Sequence, residues 1–278
     1  MELKALLKQL HNTEGNISKE DVALLLPEML THIGTIDAEL RDKLIYQTFI
    51  RIIDEEALTR RQFRDTLKTC LDEHHLFFRL GEKDLDSVFT RSFSSLVITG
   101  LLTKDRDIGL LSEEEIQETF DSSIYYLHRE QDTRGYVEQK GWAHSVAHGA
   151  DLLVSLVKHP KFTEEYATEV LSAIKHCLFK EDPYTDDEDE RLFFVIEALL
   201  DNRFGDKDLE EWMLNVFNDL EEIHMKEGFS LKYFRVKFNI STFMKTCYFH
   251  LRFKDNHNSV QAIILVKLKE LHHKLYGA

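Results

Sequence analysis

The chain has little of what interrupts a helix: three prolines and eleven glycines in 278 residues. Nowhere does β-branched alternation meet the Asn-Gly or Asp-Gly turns of hairpins, which argues against a sandwich or barrel. No apolar run approaches the roughly 20 residues that cross a bilayer. The longest, around Leu96 to Leu102, is broken by Thr99 and Gly100. The opening M-E-L-K-A-L-L-K-Q-L carries charge throughout and lacks the apolar region and cleavage site of a secretory signal. Cysteine is scarce as well, with Cys70, Cys177 and Cys247 scattered and no C-x-x-C pair. That pattern excludes a disulfide framework and a cysteine zinc site, and reads as buried thiols in a reducing cytoplasm. There is no G-x-x-x-x-G-K-[ST], G-x-G-x-x-G or G-x-S-x-G. P-loop and dinucleotide-binding units and α/β-hydrolase chemistry are therefore set aside.

Positive charge is in deficit, 35 Lys and Arg against 50 Asp and Glu, a net charge of −15. The deficit is uneven. From Met225 onward ten Lys/Arg face three Asp/Glu, so the acidic excess belongs to the preceding residues. An acidic body disfavours binding to nucleic-acid phosphates, so no nucleic acid and no membrane is expected as a partner. The basic tail suits an anionic partner, but the simpler reading is that it balances the acidic body.

What the chain does have is helical periodicity from end to end, in segments of about 12 to 20 residues. Ser18 and Ser112 read as N-caps, the latter in a capping box S-E-E-E. Pro27 should shift or kink the helix it falls in. Further helices are expected from Thr35–Asp37 through Ile52, over 59–71 and 84–102, and from Thr163 to Leu178. Others cover 191–200, 208–224, 231–253 and 257–275. In the segment 84–102, Leu85, Val88, Phe89, Phe93, Leu96 and Val97 form one apolar face. The acidic run 181–190, interrupted by Pro183, reads as the least ordered loop, and its lack of Gly rules out an EF-hand. The expected fold is all-α: an irregular HEAT-like array of antiparallel helix pairs, forming one domain over 1–278 with a soft boundary near 181–190.

The densest chemistry lies between Asp132 and Val157. A helix from Gly141 to His159-Pro160 would place His144, His148, Asp151 and Ser155 in a stripe roughly 60° wide. Trp142, Val146, Gly149, Leu153, Leu156 and Val157 would form an opposing core face. Two imidazoles one turn apart can share a metal, with Asp151 extending the set to Zn²⁺ or Mn²⁺. The pattern is not H-E-x-x-H, because Ser145 stands where the general base would be, and no H-D pair occurs. Besides metal ligation, a polar site without metal and a purely structural role remain open. In D-T-R-G-Y-V-E, Arg134 suits a carboxylate or phosphate, or an internal ion pair with Asp132 or Glu138.

Several stretches are familiar together: L-L-P-E-M-L-T-H-I-G (25–34), E-L-R-D-K-L-I-Y (39–46), D-S-V-F-T-R-S-F-S (86–94) and R-G-Y-V-E-Q-K-G-W-A-H-S-V-A-H-G-A-D-L-L (134–153). They resemble a bacterial family described only as a domain of unknown function, number 2785. The resemblance implies an all-α cytoplasmic protein over nearly the whole chain, brings no activity, and adds Arg91 to the candidates. The leading expectation is a binding module with a polar groove around 132–155, taking a small anionic ligand or a partner segment. Arg91, Asp132, Arg134, Glu138, Trp142, His144, His148 and Asp151 would line it. The alternatives are a metal-dependent hydrolase built on His144, His148 and Asp151, and a plain protein-interaction scaffold.

Overall fold

The computed structural model describes residues 2–13 and 15–277. Among these the fold is all-α, with one two-residue hairpin. Among the described residues no helix is long and apolar enough to cross a membrane. The chain forms two compact units, Met1–Phe162 and Thr163–Ala278; the acidic segment 181–190 lies inside the second.

The first unit contains α1 (Leu3–His11), α2 (Lys19–Thr31), a π-helix (Glu39–Tyr46), α3 (Gln47–Asp54), α4 (Arg60–Cys70), α5 (Ser87–Ile108) and α6 (Glu113–Arg129). The strands β1 (Tyr136–Val137) and β2 (Gly141–Trp142) and helix α7 (Ser145–Val157) complete it. The helix starts follow the capping residues. Ser18 accepts from the Asp21 amide at 3.0 Å, and Ser112 and Glu115 close a full capping box, as do Thr59 and Gln62. Pro27 lies inside α2. The segment after Asp37 winds first as a π-helix, a register that apolar spacing does not reveal.

Helix α5 is the axis of this unit, packed by α3, α4, α7 and the π-helix. Val88, Phe89, Val97, Ile98 and Leu101 are fully enclosed. It begins at Ser87 rather than Asp84, so Leu85 precedes the helix and is exposed instead of joining the apolar face. Two of its buried hydroxyls answer to its own backbone: Ser94 donates to the Thr90 carbonyl and Ser95 to that of Ser92. Gly34, in the turn after α2, lies flat on α5; a β-carbon there would stand 2.6 Å from the Thr90 amide nitrogen and 2.7 Å from its Cα.

The C-terminus of α5 ends at Gly109 in the left-handed region, and Asp105 collects what the end leaves unpaired. Its Oδ1 accepts from the Leu110 and Leu111 amides at 2.7 and 2.9 Å, while Oδ2 lies 3.2 Å from Nε2 of buried His159. Nδ1 of that imidazole accepts from the Lys161 amide, so Nε2 carries the proton of a neutral ring. Burial pushes the His159 pKa down, against the opposing pull of Asp105. A histidine whose folded pKa lies below its unfolded value of about 6.5 contributes stability present above that pH and lost as pH falls through the folded value. Urea melts should therefore show stability declining below about pH 6.5, with a shallower slope in His159→Gln; equal slopes would refute the assignment.

The second unit contains a 3₁₀ turn (Glu164–Tyr166), α8 (Ala167–Leu178), α9 (Glu188–Asp201), α10 (Asp206–Glu227), α11 (Leu231–Phe253) and α12 (Asn258–Tyr276). The aromatic-rich segment 231–253 is a helix, as its longer spacing indicates, capped by Ser230 on the Tyr233 amide. The acidic segment is held in place. Buried Asn239 accepts from the Tyr184 amide at 3.0 Å and donates to the carbonyls of Lys180 and Asp182, and the Tyr184 hydroxyl donates to the Cys177 carbonyl. Glu188, Asp189 and Glu190 then form the first turn of α9, where carboxylates favour the helix dipole.

Candidate functional site

Gly141 does not start a helix. It pairs with Val137, and Trp142 with Tyr136, in an antiparallel hairpin; α7 begins only at Ser145. Gly141 (φ +82°) and His144 (φ +47°) both occupy positive φ, and two such residues in four cannot continue an α-helix. Backbone bonds fix the alternative: the Ala143 amide donates to the Gly135 carbonyl at 2.8 Å and the His144 amide to that of Arg134 at 3.0 Å. The expected stripe thus loses His144, which becomes the N-cap of α7, while His148, Asp151 and Ser155 remain on the helix. Trp142 leaves the expected core face and is 43% exposed.

Arg91 is not a ligand-facing cation. It is fully buried, with Nε 2.7 Å and Nη2 2.9 Å from the two oxygens of buried Glu130. Its remaining donors reach the carbonyls of Phe78, Arg79 and Glu82 and the Ser87 hydroxyl. Burial pulls the guanidinium pKa down, but the hydrogen bond and charge of Glu130 raise it on balance. Every N–H of the fork is spoken for. Glu130 also accepts from the Gln131 and Asp132 amides, so the pair ties α5 to the chain leaving α6.

Asp132 and Arg134 form the internal ion pair that the sequence left open. Arg134 Nη2 stands 2.6 Å from buried Asp132 and also donates to the Leu85 carbonyl at 2.8 Å. Asp132 accepts from the amides of Asp84 and Arg134 as well, and its carbonyl takes the Ser145 hydroxyl. Glu138, at the hairpin turn, is exposed.

A second buried arginine, Arg41 of the π-helix, lies in the E-L-R-D-K-L-I-Y stretch and is not among the candidates that the sequence suggests. It donates to the Thr35 and Lys140 carbonyls at 2.8 Å each, and its guanidinium lies 4.1 Å over the Phe89 ring and 4.7 Å over that of Phe93. Nε is 2.8 Å from Asp42 Oδ1 without hydrogen-bond alignment, so that contact is coulombic. Burial lowers the Arg41 pKa and raises that of Asp42. Gly141 makes room: a β-carbon there would come within 3.0 Å of Ala38 and 3.1 Å of Arg41 Nη2. The hairpin is thereby bolted to the π-helix.

His148 points inward. Ser92 donates its one proton to the Ala143 carbonyl, so its oxygen, 2.7 Å from His148 Nδ1, accepts from that nitrogen. From there a run of rings leads outward: Phe93 edge-on to His148 at 5.6 Å, His148 to His144 at 5.6 Å, and His144 stacked on Trp142 at 4.6 Å and 9°. Tyr136, exposed on β1, meets Trp142 edge-on at 5.0 Å. Among the described residues no three His, Cys, Asp or Glu side chains form a group able to hold a metal ion, and His144, His148 and Asp151 are no exception.

The hairpin and α7 thus carry a tyrosine, a tryptophan and two histidines in a run from surface to core. The chain belongs to the DUF2785 family, described as a protein of unknown function. The DUF2785 match covers residues 76–249, which takes in Arg91, Glu130, the hairpin, α7 and most of α11. Gly34 and Arg41, in the two earlier familiar stretches, precede it. No curated protein and no solved structure matches the chain.

Proposed function

We propose that the chain is a non-catalytic binding module whose recognition surface is the open end of the hairpin, around Tyr136, Trp142 and His144. The observation that carries this reading is the half-exposed Trp142, stacked flat on His144 and mounted on a hairpin fixed from beneath by Arg41. Rigid, partly exposed aromatic side chains bind at low conformational cost. Because Arg91 and Arg134 are engaged internally, a small anion has fewer receptors here than the sequence suggests. A planar or cationic group, presented by a small molecule or a partner segment, fits the indole and phenol rings better. The all-α chain that carries this surface would be an irregular HEAT-like array.

The test uses the protein's own chromophores. Trp142 and Trp212 are the only tryptophans, and Trp212→Phe leaves Trp142 as sole reporter. Titration with N-acetyl-arginine amide, tetramethylammonium, nicotinamide and inorganic phosphate should give saturable emission changes for a cationic or planar probe. Trp142→Ala should weaken that binding at least tenfold, measured by calorimetry, without changing the melting temperature appreciably. Phosphate binding alone would restore the anionic reading; silence from every probe would remove the small-molecule form of the proposal.

A further inference from the structure

Helix α11 is apolar on nearly every side, and one side faces solvent. Val236, Ile240, Phe243, Met244 and Leu251 are buried where α8, α9, α10 and α12 pack. Leu231, Phe234, Phe238, Thr242, Lys245, Phe249 and Phe253 occupy the opposite stripe, about 100° wide at 3.6 residues per turn, with Arg235 and Arg252 at its margins. Its five large apolar side chains are exposed by 43% (Phe234) to 78% (Phe253). Four phenylalanines and a leucine along a 23-residue helix are not the makings of a solvated face.

The stripe is also close to palindromic. Counting from Thr242, Phe238, Phe234 and Leu231 lie 4, 8 and 11 residues back, and Lys245, Phe249 and Phe253 lie 3, 7 and 11 residues forward. Laid antiparallel on its own copy, the helix sets Thr242 against Thr242, Phe238 against Lys245, Phe234 against Phe249 and Leu231 against Phe253. The small residue falls at the crossing, where backbones approach most closely. Ring meets ring on either side, and the lysine meets a ring face. A self-complementary patch of this kind is what a two-fold interface requires.

We propose that α11 is a homodimer interface, two copies pairing antiparallel about a two-fold axis at Thr242. Helix α11 contains no Asp or Glu, which raises an acidic partner as the other occupant. Its cations, however, are largely answered within the chain: Lys232 by Glu181 and Glu227, Arg235 by Asp182, Arg252 by Asp255. Arg235 and Arg252 lie at the margins of the stripe with these partners, and the second copy offers Lys245, the remaining cation within it, the ring of Phe238. The five apolar side chains expose on the order of 500 Å² per copy, so pairing removes about 1,000 Å² in total, the lower edge of specific interfaces. Area alone does not set affinity; a weak pairing, with a dissociation constant on the order of micromolar, is the expectation to be tested.

Sedimentation velocity of the full chain from about 1 to about 100 µM spans that range. It should show a monomer passing to a dimer. Phe238→Lys, which sets two lysines face to face, should leave a monomer throughout, and adding Lys245→Glu should restore the dimer. Circular dichroism on each variant separates misfolding from dissociation. Thr242→Cys provides a second reading, because only a residue on the axis meets itself. A short bis-maleimide should link that variant to a dimer, while the parent, whose three cysteines are buried, stays unlinked. A parent monomeric at 100 µM overturns the pairing in favour of an acidic or lipid occupant, as does a dimer indifferent to Phe238→Lys.

Discussion

A Glu130→Ala protein should lose about 3–5 kcal/mol of stability in its first unit, the usual result of removing one partner of a buried ion pair. Arg91 would keep its enclosure and lose two charge-assisted bonds, and the Gln131 and Asp132 amides would lose their acceptor. Against a total of about 5–15 kcal/mol, that is enough to bring unfolding near ambient temperature. Replacing both members, Arg91→Met with Glu130→Leu, should cost less than Glu130→Ala, since no charge is then stranded. Urea titration followed by Trp142 emission in the Trp212→Phe background reads the first unit directly. A loss below about 1 kcal/mol in Glu130→Ala would mean that water reaches Arg91, and the enclosed pair would have to be abandoned.

The second large effect is at Gly34. Alanine adds one carbon, but the space it would enter holds the backbone of Thr90, at 2.6 Å from the amide nitrogen and 2.7 Å from Cα. A side chain can rotate away; helix α5 cannot without disturbing α3, α4 and α7. Overpacking of this kind costs typically 1–3 kcal/mol, and Gly34→Ala belongs at the upper end because the obstacle is backbone. Gly109→Ala is the control: it carries its own left-handed strain but meets nothing within 4 Å, so about 1 kcal/mol is expected. If the two variants melt alike, the close approach at Gly34 has been overstated.

The helices were legible because their determinants are local. Ser18 and Ser112 carry their capping partners three residues on, and of the apolar stripe expected through Leu40, Leu44, Ile45, Phe49 and Ile52 all but half-buried Leu40 face the core. The site was legible only as a region. A run from Gly141 to Val157 has helical periodicity, yet Gly141 and His144 adopt positive φ, and Gly141 lies against Ala38 and Arg41, about a hundred residues earlier in the chain. No local spacing encodes that demand. The same holds for charge: Arg91 and Arg134 look like anion receptors until the buried carboxylates of Glu130 and Asp132 come into place. Arg134 stands two residues from Asp132 and their pairing was among the readings left open, whereas Arg91 is separated from Glu130 by most of α5 and α6. Arg41 is the clearest omission. A single arginine in an exposed-looking E-L-R-D-K run gives no sign that a wider helical turn will enclose it over two phenylalanine rings.

The three scattered cysteines have a use that their chemistry alone would not suggest. All are enclosed, and burial drives the thiols of Cys70 and Cys247 well above the ordinary range, so neither forms a reactive thiolate while its surroundings stay closed. Cys70 belongs to the first compact unit, Cys177 and Cys247 to the second. Each thiol is therefore a timer set by the opening of its own neighbourhood. Under conditions where reclosing outpaces modification, the rate at which a thiol reagent finds Cys70 measures the opening equilibrium of one unit and the rate at Cys247 that of the other. The chain reports the separate breathing of its two halves with no label introduced.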